Sequence, residues 1–139
     1  MNRRKKINRV VLNFSGHALS KEAKNELKKK FDKIEEIPFL NINLTNEVGI
    51  QLRRIIKKVK TPLDGSISIT IIPPGQSTLS ILLIMYLHGI LGYFPDICML
   101  DVTQSGIYLP SNIFYVSGNK LRYNGRAFRQ EIWKLKTDF

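Results

Sequence analysis

An α/β fold on a mostly parallel sheet is what this sequence predicts, and three observations carry that expectation. Short apolar segments rich in Val, Ile and Leu alternate with segments of helical periodicity. The first apolar segment holds Val10, Val11 and Leu12 in succession, the pattern of a strand covered on both faces. The chain has 139 residues with no internal repeat and no linker, so the alternation closes within one domain spanning 1–139.

Residues 7–14 read as the first strand, and Ser15-Gly16-His17 as a turn. Ser20 is placed to cap a helix over 21–36, where Ala23, Leu27, Phe31 and Ile34 form one apolar stripe. Pro38 ends it. Residues 39–44 read as a second short strand. Asn46 is the expected cap of a helix over about 47–59. That helix turns Val48, Leu52, Ile55, Ile56 and Val59 inward, and Arg53, Arg54, Lys57 and Lys58 outward. Pro62 and Gly65 punctuate the next loop. Residues 66–72 alternate Ser and Thr with Ile as a third strand, broken by Pro73-Pro74-Gly75.

Gln76-Ser77-Thr78 opens a helix that runs to about Gly89. It is apolar nearly all round from Leu79 to Leu91, which suits the core or an oligomer interface. Gly89 and Gly92 are read as its stop signals. Phe94-Pro95 leads into a fourth strand over 97–102, and residues 106–115 are again β-prone. After a turn at Ser117-Gly118-Asn119, a last amphipathic helix over about 126–136 is expected to pack through Phe128, Ile132, Trp133 and Leu135.

Composition narrows the function classes. Hydrophobic residues make up 43% and charged residues 24%, ordinary globular usage that argues against disorder and low complexity. Cys98 is the only cysteine, so no disulfide framework and no multi-cysteine zinc site is expected, and a reducing compartment fits. No apolar run reaches the roughly 18 residues of a membrane span. The basic start at residues 1–6 lacks the apolar stretch of a signal peptide and reads as a flexible, solvated end. A cytoplasmic protein without membrane association is expected.

The net charge is +11, and its layout is uneven. Residues 1–60 hold 16 of the 22 Lys and Arg, residues 61–118 hold none, and residues 119–139 hold six. Such a balance favours anionic partners, although a solubilising surface explains it equally well.

In an open α/β sheet, ligands bind beyond the carboxyl ends of the strands. Three loops are expected there. They are Asn13-Phe14-Ser15-Gly16-His17, Asn43-Leu44-Thr45-Asn46, and Pro73-Pro74-Gly75-Gln76-Ser77-Thr78. The third runs into a helix N-terminus, whose free amides and positive end suit a phosphate. Gly16 and Gly75 would let backbone approach an anion. Ordinary turn chemistry uses the same residue types. His17 stands where a general acid or base could act, and His88 reads as a core or helix-end histidine. Arg122 and Arg126, interleaved with Tyr123 and Phe128, suit phosphate contact with base stacking, or simple docking of an amphipathic helix. No metal-ligand spacing, nucleophile elbow or phosphate-binding glycine motif is present, and no cofactor is expected.

Two stretches resemble a known family. Val11-Leu12-Asn13-Phe14-Ser15-Gly16-His17-Ala18-Leu19 resembles the opening of a small CRISPR-associated accessory family found beside type III systems. Leu87-His88-Gly89-Ile90-Leu91-Gly92-Tyr93-Phe94-Pro95 resembles that family's helix-end motif. The order of elements fits over nearly the whole chain, and residue identity rests on these two stretches. The basic residues before Ile7 and the Lys-rich first helix depart from the pattern. The resemblance implies a Rossmann-like three-layer sandwich related to CARF domains. It implies a homodimer, or a larger ligand-bridged assembly, that binds cyclic tetra-adenylate across a two-fold axis. Carried over by position, Asn13, Ser15, Gly16 and His17 would face the ligand. Pro74, Gly75, Gln76, Ser77 and Thr78 are added by the phosphate argument alone.

Three functions stay open. A binding module would sequester the messenger and damp antiviral signalling, and the lack of a catalytic constellation favours it. A metal-independent ring nuclease would hold a ribose 2′-hydroxyl in line with its phosphate, with His17 as the catalytic candidate. A general nucleic-acid-binding protein would show steep salt dependence; no stable DNA partner is expected.

Overall fold

The computed structural model describes residues 6–38, 41–102 and 108–137. Nine elements follow one another: β1 (Arg9–Asn13), α1 (Lys21–Lys30), β2 (Lys33–Glu36), α2 (Val48–Ile56), β3 (Ser68–Ile72), α3 (Ser77–Leu91), β4 (Asp96–Val102), β5 (Tyr108–Val116) and α4 (Gly118–Thr137). The strands form one sheet in the order β2-β1-β3-β4-β5. The first four strands in that order run parallel and β5 runs antiparallel to β4. The expected open, mostly parallel α/β sheet is therefore present.

Period-two alternation sorts the side chains into two cores. Val10 and Leu12 of β1, with Ile69 and Ile71 of β3, face Leu52 and Ile55 of α2 and Leu79, Leu83 and Leu87 of α3. Val11, Ile72 and Cys98 point the other way and meet Leu19, Phe31 and Leu27 of α1. Helices thus cover both faces, in three layers. The leucines of α3 recur every four residues, so one stripe is buried while Ile81, Met85 and Ile90 remain exposed. The helix is half core and half surface, although its sequence is apolar all round.

Local chemistry sets the boundaries. Ser20 caps α1, its Oγ accepting the Ala23 N–H at 3.1 Å. That helix stops at Lys30, short of the expected residue 36. The carboxylate of Asp32 accepts the N–H groups of Asn8 and Arg9 at 2.9 and 3.0 Å and pulls the chain alongside β1. Residues 33–36 then pair with β1 as β2. The second strand therefore lies at 33–36 instead of 39–44; residues 39–40 fall outside the described set. Glu35 is buried and holds the loop before β3. Its carboxylate accepts the Thr61 hydroxyl at 2.6 Å and the N–H groups of Thr61 and Lys60 at 2.9 and 2.7 Å.

Glu47 replaces Asn46 at the N-cap of α2, and no side chain bonds there. Gly92, at φ +77°, ends α3, and Gly89 lies inside the helix. The residues read as a turn at 117–119 instead open α4, with Ser117 Oγ accepting the Lys120 N–H at 3.2 Å. Gly118 sits so close to the body that a Cβ there would lie 2.7 Å from both Phe94 Cβ and the Pro95 carbonyl oxygen. Phe128, Ile132, Trp133 and Leu135, through which α4 was expected to pack, are all exposed, as is every residue from 121 to 135. No helix among the described residues is long and apolar enough to cross a membrane.

Candidate functional site

The strand order reverses between β1 and β3. From β1 the chain moves outward to β2, and from β3 it moves the opposite way to β4. Loops leaving the carboxyl ends of such neighbours diverge and leave a crevice. The loops after Asn13 and Ile72 occupy this position, and they start level with each other because Asn13 pairs with Ile72.

The first loop is held by its own polar atoms. Asn13 Oδ1 accepts the Ser15 N–H at 3.0 Å and the Ser15 hydroxyl at 2.6 Å. Asn13 Nδ2 donates to the His17 carbonyl at 3.0 Å, and the His17 N–H donates to Ser15 Oγ at 3.2 Å. Gly16 closes the turn at φ +78°, where a side chain would be strained. The loop's hydrogen bonds use the His17 backbone, and the imidazole stands exposed.

Between the two loops lies a cleft of about 360 Å³. Ser15 and His17 form one wall, Pro73, Pro74 and Gly75 a second, and Cys98, Met99 and Leu100 of β4 a third. A smaller hollow of about 140 Å³ lies on the other side of the first loop, between Asn13, Gly16, His17 and the β2 end at Glu36 and Ile37. His17 borders both.

Four expected residues therefore meet: Ser15, His17, Pro74 and Gly75. Gly16 borders the smaller hollow alone. Asn13 and Phe14 need correcting. Asn13 is buried with its amide spent inside the loop, so it shapes the site and does not present itself to a ligand. Phe14 is fully buried in the core. Gln76, Ser77 and Thr78 are exposed on the first turn of α3, beyond the cleft lining, where no side chain caps the helix. That leaves a positive helix end close to the rim.

The Asn43–Thr45 loop does not follow a strand directly and does not line the cleft. Asn43 Oδ1 accepts the Thr45 hydroxyl and N–H at 2.6 and 3.0 Å, while Gln51 bonds both the Asn43 N–H and carbonyl. It is a local turn tied to α2. Arg122 and Arg126 are exposed on α4 and line neither hollow. His88 stacks against Phe94 with ring centroids 4.1 Å apart, a structural role at the end of α3.

Sequence reasoning missed the third wall. Met99, 43% exposed, overhangs the crevice because β4 continues past the end of β3. From sequence, the fourth strand falls at 97–102 and has no part in the site. Cys98 beneath it is fully buried, and that burial pushes its thiol up to about 12, which makes it inert rather than nucleophilic. A second cleft, of about 290 Å³, opens at the amino edge between Arg9, Lys30, Thr70, Asp96, Tyr115 and Lys120. There Lys30 Nζ sits 3.5 Å from the Tyr115 ring centroid and Arg9 lies 5.4 Å over Phe31. These cations are already engaged with aromatic faces. Among the described residues, no group of three His, Cys, Asp or Glu is placed to hold a metal ion. Comparison of the chain with protein-family models, curated proteins and solved structures finds no match.

Proposed function

We propose that this chain is a CARF-related type III CRISPR accessory protein that binds cyclic tetra-adenylate at the β1–β3 crevice and lowers its free concentration. The observation that carries the reading is the meeting of the Ser15–His17 turn with the Pro73–Gly75 loop where the strand order reverses. The resemblance of residues 11–19 and 87–95 to that accessory family supports it from the sequence.

The chemistry of the walls suits a nucleotide. Ser15 and His17 offer a hydroxyl and an imidazole, and the start of α3 offers a positive helix end. Met99 offers a soft apolar surface for a base. At about 360 Å³ the cleft is near the small end of the ~300–1,000 Å³ usual for small-molecule sites. One chain then grips part of the ring, and a second copy completes the grip by two-fold symmetry.

A second reading, metal-independent cleavage of the ring, is favoured by one observation: His17 borders both hollows with its imidazole exposed. In-line attack of a 2′-hydroxyl needs a positioned proton acceptor, and His17 is the candidate.

The test mixes the purified chain with cyclic tetra-adenylate in EDTA, at equal concentration and at large excess, and follows bound and cleaved ligand over hours. Tight binding with intact ligand supports sequestration. Linear products beyond one equivalent, lost in His17→Ala with binding kept, support the nuclease. Neither binding nor cleavage removes the messenger from the account.

A further inference from the structure

Helix α4 is 20 residues long, and each residue from 119 to 135 is exposed. Such a helix gains too little from propensity alone to persist without a partner surface. Leu121, Phe128, Ile132 and Leu135 are 58%, 59%, 37% and 64% exposed. At about 100° per residue these four fall within roughly 60° of one another, so they form one apolar face. Around the rest of the helix stand Lys120, Arg122, Arg126, Arg129 and Lys134, all exposed, against the single acid Glu131. Among the described residues, Lys120, Arg122, Arg126 and Arg129 make no ion pair. The helix thus holds an apolar face and a set of uncompensated cations, both in water.

That combination selects the partner. A second copy of the helix would cover the apolar face but set bases against bases, with one acid on each side to offset them. A nucleic-acid groove would take the bases but leave Leu121, Phe128, Ile132 and Leu135 in water. An anionic lipid surface uses both. The apolar residues enter the boundary of the acyl chains, and the Lys and Arg side chains meet lipid phosphates. The lone tryptophan supports the same choice. Trp133 is 68% exposed and falls on the same flank of the apolar face as Arg122 and Arg129. On a helix lying in the interface that flank is at headgroup level, where tryptophan is enriched.

We infer that α4 is a membrane-surface helix, lying in the interface of an anionic bilayer with Leu121, Phe128, Ile132 and Leu135 inserted and Arg122 and Arg129 on lipid phosphates. Against the expectation of a chain without membrane association, such a helix needs no spanning run. The inference does not rest on the messenger reading. The chain enters α4 from β5, which runs back toward the amino edge of the parallel strands, and Gly118 roots the helix on Phe94 and Pro95 there. The crevice opens at the carboxyl edge, so a docked α4 leaves it clear.

The test mixes the full chain with vesicles of equimolar phosphatidylglycerol and phosphatidylcholine, and with vesicles of phosphatidylcholine alone. It reads flotation together with tryptophan emission. Trp133 is the only tryptophan, so the emission reports on α4 directly. The expected result is flotation with the anionic vesicles, a blue shift of the emission, and quenching by brominated lipid. Phe128→Glu, at an exposed position, should abolish all three with an unchanged circular dichroism spectrum. Arg122→Gln and Arg129→Gln should each lower partitioning about fivefold. Arg53→Gln/Arg54→Gln on α2 should change it less than about twofold, because those charges stand away from the bilayer. Glu131→Gln should raise it. No flotation with anionic vesicles overturns the inference, as does equal flotation with neutral ones. Flotation that Phe128→Glu leaves intact, with no blue shift, is mere adhesion of a chain of charge +11 and also overturns it. So does a dimer in solution that Phe128→Glu dissociates, with emission already blue in the absence of lipid, or tight binding to an RNA homopolymer in place of vesicles. Failure of the wild type to bind cyclic tetra-adenylate would end the functional reading and leave this one standing.

Discussion

Asn13→Ala is the substitution that tests how the crevice is built. The side chain is 3% exposed and makes three hydrogen bonds, to the Ser15 N–H, the Ser15 hydroxyl and the His17 carbonyl. A net hydrogen bond contributes about 1 kcal/mol, and water replaces part of the loss at partly exposed groups. The expected destabilisation is therefore roughly 2 kcal/mol. For a chain of this size that lowers the melting temperature by roughly 6–10 °C. Ser15→Ala keeps the N–H bond to Asn13 but loses the hydroxyl's bonds to Asn13 Oδ1 and from the His17 N–H, so a loss of roughly 1–2 kcal/mol is expected. Binding should suffer beyond stability, because each loop residue set free costs roughly 1–2 kcal/mol to order again. With Ser15 and Gly16 released, affinity for cyclic tetra-adenylate should fall at least ~10-fold. Thermal melts and calorimetric titration measure both quantities. A melting shift below about 2 °C, with affinity intact, would refute the idea that Asn13 organises the site.

Three further outcomes are expected. Burial alone would raise the Glu35 carboxyl, but the Thr61 hydroxyl, the Lys60 and Thr61 N–H groups and Lys33 outweigh it and hold the group below its usual range. Its contribution is then complete above the unfolded value of about 4.3 and is lost as pH falls through the lower folded value. Glu35→Gln should lower stability at pH 7 and flatten its decline below about pH 4.3, read from urea melts across pH; an unchanged acid limb would contradict this. Gly118→Ala forces a methyl into 2.7 Å contacts with Phe94 and Pro95, so it should destabilise by about 1–3 kcal/mol, whereas Gly125→Ala, which meets nothing within 4 Å, should not. Cys98 should be silent to an aromatic disulfide reagent at pH 8 in the native protein and react with one equivalent in denaturant; fast native labelling would show that the β4 wall opens.

The parts of the fold that were legible are those where a local pattern and the tertiary outcome agree. Val10 to Leu12 and the Ser20 cap are of this kind, as is the third strand's alternation. β2 was hidden because Lys33-Ile34-Glu35-Glu36 carries charges, and Ile34 continues the helical spacing of Leu27 and Phe31. What makes it a strand is the distant pairing with β1 and the hold of Asp32 on Asn8 and Arg9, which no window of sequence contains. The start of α4 was read as a turn because Gly118 and Asn119 are poor helix formers, yet Ser117 supplies the cap and Phe94 the contact. At the site, residue types marked the first and third loops, and these two loops share one cleft. They could not separate Asn13, which spends its amide inward, from Ser15 and His17, which line the cleft. An asparagine that shapes a loop and one that meets a ligand differ in burial, and burial is decided by neighbours far along the chain.

β3 matches β4 only from Thr70 opposite Asp96 to Ile71 opposite Ile97, yet β4 continues to Val102. Beyond the end of β3, the edge of β4 away from β5 has no partner strand among the described residues, and an unpaired strand edge presents main-chain carbonyl and amide groups in a row. Such a row reads a partner by the order of donors and acceptors, as a neighbouring strand would. An alanine scan is blind to it, since every substitution leaves the peptide groups in place. Proline, which deletes an amide hydrogen, is the informative replacement at whichever of Met99 and Leu100 turns its N–H away from β5; at the other it breaks the β4–β5 ladder.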